Sequence, residues 1–114
     1  MTHYKRGDVV LIPFPFTDLT TAKQRPALII SSDEWNRNQA DIIVCAITSQ
    51  FPVEITAFEY SLPKSDILKA SLPKPSKVKC GKIVTLDSRL IHKKLGAISE
   101  QSLQKILSII NTII

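Results

Sequence analysis

Asp41-Ile42-Ile43-Val44-Cys45-Ala46-Ile47-Thr48-Ser49 is the stretch that decides the fold of this chain. It is apolar at every position from Ile42 to Ile47 and rich in β-branched residues, which favour extended backbone. An apolar run without alternation belongs to a strand covered on both faces, so this segment is expected in the middle of a sheet. The chemistry changes at its end, where Thr48, Ser49 and Gln50 bring two hydroxyls and an amide.

Working outward, the flanking segments supply further short strands. Val9–Ile12 is a buried strand entered through the turn Lys5-Arg6-Gly7-Asp8, and Pro13-Phe14-Pro15-Phe16 ends it because proline cannot donate to a ladder. Thr17–Gln24 is polar and aperiodic, a flexible loop, and Pro26–Ser31 is the next strand. Ser32–Gln39 reads as a turn or one helical turn, with Trp35 covering one end of the core. Glu54–Leu62 is a weaker, edge-like strand, and the prolines at 63, 73 and 75 argue against a regular helix in Pro63–Pro75. Ser76–Cys80 alternates Val78 against Lys77 and Lys79, a half-exposed strand presenting lysines outward. Gly81 breaks it, and Ile83–Leu86 resumes a short buried piece. Asp87–Ile91 is expected to form one helical turn, and Lys94–Ala97 a short extended segment.

Ser99 is a suitable N-cap for a last helix reaching about Thr112. Ile98 and Leu103 can form a hydrophobic staple across its first turn, and Leu103, Ile106, Leu107, Ile110 and Ile113 form one stripe. So apolar a helix must be covered, by its own sheet or by a second subunit. Many short strands, short connections and no regular βαβ alternation give the fold class. It is mainly β, an SH3-like barrel or strongly bent antiparallel sheet, with a C-terminal α-helix. The 114 residues form one domain.

Charge narrows the partners. The formal net charge is +5, and Lys69, Lys74, Lys77, Lys79, Lys82, Arg89, Lys93 and Lys94 face a single acid, Asp87, within their own segment. Such a strip suits RNA, DNA or an acidic protein tail, although a lysine-rich face can also serve solubility alone. The N-terminus lacks the apolar segment of a signal peptide, and no apolar run is long enough to span a bilayer, so a cytoplasmic protein without membrane association is expected. Cys45 and Cys80 lie in no metal-ligand spacing and read as reduced core residues.

The chain has three ungrouped glycines and so no phosphate loop, and no metal-spaced cluster of His, Cys, Asp or Glu; no metal or other cofactor is expected. His3 and His92 read as surface histidines. What remains is Arg25 at the start of one strand and Thr48 at the end of another. A residue before proline is held extended, which puts the Arg25 guanidinium at the mouth of a rigid strand. Taken alone, an arginine there is more often a surface residue than a ligand. With a hydroxyl beside it, the pair suits a phosphodiester, whose own 2′-hydroxyl can be the nucleophile if the substrate is RNA.

Five blocks in order carry a family resemblance. They are Lys5-Arg6-Gly7-Asp8-Val9, Arg25-Pro26-Ala27-Leu28-Ile29-Ile30, Ala46-Ile47-Thr48-Ser49-Gln50, Val78–Asp87 and Lys94-Leu95-Gly96-Ala97-Ile98-Ser99. Together they resemble the MazF/PemK family of toxin ribonucleases over nearly the whole chain. The resemblance implies the plasmid-toxin barrel, a homodimer, and metal-independent cleavage of single-stranded RNA to 2′,3′-cyclic phosphate and 5′-hydroxyl ends. It also implies a cognate antitoxin with an acidic, disordered tail. Arg25 and Thr48 match the family's catalytic pair, and Lys23, Ser49, Gln50, Lys77 and Lys79 are candidate RNA-binding residues. The loop before Arg25 lacks the family's glutamate and glycines, and Lys79 and Gly81 stand where some members carry arginine and aspartate. The alternative on the same fold is a non-catalytic toxin or binding module of the gyrase-inhibitor kind.

Overall fold

The computed structural model describes residues 3–13, 23–49 and 55–114. Among the described residues, six strands form one antiparallel sheet: β1 (Asp8–Pro13), β2 (Gln24–Ile29), β3 (Asp41–Thr48), β4 (Glu59–Ser61), β5 (Lys77–Asp87) and β6 (Lys93–Ala97). Their order across the sheet is β4-β5-β3-β2-β1-β6. β3 lies inside the sheet, between β2 and β5, as its unbroken apolar run requires. Among the described residues the sheet is open, with β4 and β6 at its edges, a bent sheet rather than a closed barrel.

Alternation along β3 divides the core in two. Cys45 and Ile47 join Val9, Leu28, Val78 and Cys80 on one face. The helix α3 (Glu100–Ile113) covers that face with Leu103, Ile106 and Ile110. Burying each such side chain contributes about 1.5–3 kcal/mol. The opposite face gathers Val10, Ile12, Ala27, Ile29, Ile42, Val44 and Ala46, with Tyr4, Val84, Leu86 and Ile91 packed at its margin. The chain's own sheet therefore covers the terminal helix, while Ile113 and Ile114 at its end stay exposed.

Several local expectations change. β5 runs unbroken through Gly81; the glycine marks a bulge, since Cys45 pairs with Ile83 but Ala46 with Lys79. A bulge bends a strand without ending it. Pro63–Pro75 does contain a helix, α2 (Lys64–Lys69), because Pro63 stands at its N-cap and Pro73 lies beyond its end. The edge strand β4 is only Glu59–Ser61. Ser32 caps the short helix α1 (Asp33–Asn38), which buries none of its residues. Trp35 is consequently no core lid: it is 41% exposed, with its indole N–H donating to the Asp41 carbonyl at 2.9 Å. The segments Phe14–Phe16, 17–22 and 50–54 lie outside the described residues.

Two glycines hold the layers together. Gly7 has φ +95°, a region only glycine enters freely. Its N–H donates to the Ile29 carbonyl at 2.8 Å and its carbonyl accepts from Ile98 at 3.0 Å, tying β1 to β2 and to the entry of α3. Gly96 lies under the end of α2: a Cβ there would sit 2.0 Å from the Lys69 carbonyl oxygen.

α2 also supplies a buried carboxylate. Asp66 is 1% exposed and accepts from the Ser99 N–H at 2.8 Å, from the Ser99 hydroxyl at 3.3 Å and from the Ser102 hydroxyl. It stands at the N-terminus of α3, where the helix dipole favours negative charge. Burial pushes its carboxyl up, but the hydrogen bonds from Ser102 and Ser99 outweigh that and hold it below the usual value.

Gly96→Ala is expected to cost at least about 2 kcal/mol, because backbone must move to admit the methyl group. Gly81→Ala, whose Cβ would meet only Ile113 at 3.7 Å, is expected to stay within about 0.5 kcal/mol of wild type. Urea unfolding of the two variants checks both. As pH falls, the unfolded state takes up the Asp66 proton before the folded state does. The stabilisation from Asp66 is therefore present above about pH 4 and lost as pH drops through its lowered folded value. Urea midpoints are expected to fall between about pH 6 and about pH 3, and less steeply in Asp66→Asn.

Candidate active site

β2 pairs with β3 from Ala27 opposite Ala46 onward, one residue after Pro26, which has no N–H to give. Continuing that register by two residues sets Arg25 level with Thr48. Arg25 is already inside β2, opposite Ile12 of β1, and exposed; Thr48 is the last residue of β3, opposite Lys77 of β5, and half-buried. Antiparallel partners share a face. Arg25, Thr48, Lys77 and Lys79 therefore belong to the face that carries Ala27 and Ala46. This face collects a guanidinium, a hydroxyl and two ammonium groups from three adjacent strands.

The flanking candidates fall around this group. Lys23 immediately precedes β2 and Ser49 immediately follows β3, and both are exposed. Gln50 lies outside the described residues.

Lys77 departs from expectation. It is buried rather than presented outward, and its ammonium lies 3.1 Å from Oε1 of Glu59 on β4. Both side chains are about one-tenth exposed, at 11% and 10%. The Thr56 N–H donates to the same Oε1 at 3.1 Å. The backbone hydrogen bond from Thr56 is the main influence holding the Glu59 carboxyl below its usual value; burial opposes it, and the Lys77 bond and the charges of Lys77 and Lys79 reinforce it. Glu59 is thus an ionised carboxylate on the basic face. It was missed in the sequence because it sits in a weakly patterned edge segment, 18 residues from Lys77. The signal available was Glu59 itself, one of two acids, with Glu54, in the edge-like segment ahead of the lysine-rich strand.

The basic strip is likewise uneven. Lys94 reaches Asp8 at 3.2 Å and Arg89 reaches Asp87 at 2.8 Å. Asp8 is itself only 3% exposed. Cys45 and Cys80 are free and buried. Burial, aided by the charge of Glu59, pushes the Cys80 thiol up to about 11, and burial raises Cys45 as well, so neither is a ready nucleophile. Among the described residues, no three His, Cys, Asp or Glu side chains come together to hold a metal ion, and no helix is long and apolar enough to cross a membrane. The arrangement can bind a phosphodiester at Arg25 and orient an oxygen at Thr48.

Residues 5–114 match the family model described as PemK-like, MazF-like toxin of type II toxin–antitoxin system. Among solved structures, an endoribonuclease from a mycobacterial species aligns with TM-score 0.77 and 24% identity, over 98% of this chain and 91% of that one. A mycobacterial endoribonuclease in complex with its cognate antitoxin aligns with TM-score 0.77 and 24% identity, over 96% and 92%. MazF from Deinococcus radiodurans gives TM-score 0.77 and 22% identity, over 99% and 97%. These likenesses show the same fold across nearly the full length of each chain.

Removing one member of the Lys77–Glu59 pair takes a close counter-charge from the other where both are nearly buried. Glu59→Gln and Lys77→Met are each expected to lose about 3 kcal/mol. The double variant is expected to lose clearly less than their sum, a coupling that a double-mutant cycle in urea measures directly.

Proposed function

The chain belongs to the family of PemK-like, MazF-like toxins of type II toxin–antitoxin systems, and from that premise we propose that it is a metal-independent endoribonuclease acting on single-stranded RNA. The observation that carries this reading is the common face and level of Arg25 and Thr48, set by the β2–β3 register. In the proposed reaction the 2′-oxygen of the substrate forms a bond to phosphorus and the bond from phosphorus to the 5′-oxygen breaks. The proton of the 2′-hydroxyl passes to water. Arg25 neutralises the charge that builds on the phosphate oxygens and gives a proton to the departing 5′-oxygen, and solvent restores it. Thr48 orients the phosphate for in-line attack. The products are a 2′,3′-cyclic phosphate and a 5′-hydroxyl end.

Lys79, Lys23 and Ser49 flank this pair and suit the strand on either side of the scissile bond, while Lys77, held by Glu59, supports the face from below. A homodimer and an antitoxin whose acidic tail competes with RNA for this face complete the reading. It accords with the antitoxin complex formed by the mycobacterial endoribonuclease of the same fold.

Purified protein is expected to cut mixed-sequence single-stranded RNA in EDTA, leaving 3′ ends that resist adapter ligation until the cyclic phosphate is opened and the phosphate removed. Arg25→Ala is expected to lower kcat/KM by about 1,000-fold and Thr48→Ala by about 100-fold. RNA left intact at every protein concentration, or cut equally by Arg25→Ala, would sink the reading. Growth arrest with intact cellular RNA would point instead to the non-catalytic toxin of the same fold.

A further inference from the structure

The row of side chains that contains Thr48 continues across the sheet. Arg25 on β2 lies level with Thr48, Thr48 pairs with Lys77 on β5, and Lys77 pairs with Ser61 on β4. Adjacent strands lie about 4.8 Å apart, so Thr48 stands between two cations at equal strand spacing. Arg25 is exposed, while Lys77 is buried with its ammonium 3.1 Å from Oε1 of Glu59. A phosphate at the Thr48 hydroxyl is within the chemistry of either cation, but the two would hold it differently. The guanidinium fork fixes one orientation, whereas an ammonium is a point charge on which a phosphate can turn.

Glu59 reaches in a telling direction. Its cross-strand partner is Lys79, one row along, yet its carboxylate meets Lys77 on the diagonal. Diagonal neighbours lie roughly 7–8 Å apart, within reach of two long side chains. Glu59 belongs to the strand on the far side of β5 from Thr48, so the ion pair draws the ammonium away from the hydroxyl. The carboxylate is itself anchored. The Thr56 N–H donates to the same Oε1 at 3.1 Å, and the Glu59 N–H donates to the Thr56 carbonyl at 3.2 Å. Stability alone gives little reason for a nearly buried ion pair, since apolar side chains of similar volume commonly serve as well.

We propose that Glu59 is a positioning residue of the reaction: by holding the Lys77 ammonium on the β4 side, it leaves Arg25 as the cation that docks the scissile phosphate beside Thr48. The role rests on the ribonuclease reading for its substrate. Glu59 touches no substrate and takes no proton; it acts through Lys77 alone. Cancelling one charge beside the hydroxyl gives up some ground-state binding of RNA and favours the single orientation from which in-line attack proceeds. A Lys77 released from Glu59 binds the phosphate in competing poses, which tightens binding and slows the chemistry.

The test uses the full chain in EDTA and an RNA oligonucleotide with a mapped cleavage site, at a temperature where urea curves show each variant folded. Glu59→Gln is expected to lower kcat about tenfold while KM falls about threefold, the size of one exposed ion pair. The slope of its log KM against log salt is expected to steepen by about 0.7, the mark of one more phosphate contact on a single strand. Loss of folded protein alone would lower the apparent kcat and leave KM and the salt slope unmoved. Adding Lys77→Met to Glu59→Gln removes the competing cation. The double variant is therefore expected to return KM and the salt slope to wild-type values and to regain most of the lost kcat. Glu59→Gln with KM and salt slope unchanged, or a double variant no faster than Glu59→Gln, overturns the positioning role and leaves the nuclease standing. RNA left intact by the wild-type chain removes the nuclease reading and this role with it.

Discussion

The hydrogen-bond register of β3 is the constraint on which the rest of this molecule depends. Ala46 faces Ala27 on one side and Lys79 on the other, and those pairings determine which side chains share a surface. A slip of one residue would turn Cys45 and Ile47 away from α3 and put Thr48 on the wrong face. The two apolar clusters make that slip costly, since each takes alternate residues of the same strand. Stability and site geometry therefore have one origin. Pro26 adds to this by ending the β2–β3 pairing just before Arg25, so Arg25 and Thr48 stand at the open end of that ladder rather than inside it.

The bulge on β5 solves a different problem. An eleven-residue strand must follow a bent sheet, and the extra residues around Gly81 let it do so while keeping Val78 and Cys80 in one cluster and Val84 and Leu86 in the other. At the far edge of the sheet Gly96 plays a purely steric part, admitting the end of α2 to within contact of β6. That contact brings Asp66 to the first turn of α3.

The chain is basic, yet the acids do much of the organising. Asp8, Glu59 and Asp66 are buried or nearly so, and each is met by donors brought from elsewhere in the chain. Glu59 and Asp8 take Lys77 and Lys94 out of a strip that looks uniformly positive in sequence. The residual positive face is smaller and more localised than the net charge suggests.

The amino-acid sequence by itself determined the all-antiparallel class, β3 at its centre and the capped terminal helix. These follow from local physics: unbroken β-branched runs, a proline that removes a donor, and an N-cap serine ahead of an apolar stripe. The sequence misled where distant segments compete for the same residue. Pro63 and Pro73 read as helix breakers, but a six-residue helix fits between them; Gly81 read as a strand end, but neighbouring strands carry β5 through it. Trp35 read as a core lid, but α1 stands clear of the core. Only the tertiary structure decided that Lys77 is buried against Glu59, because cross-strand register and burial of charge are properties of segments that meet in space and leave no periodic trace along the chain.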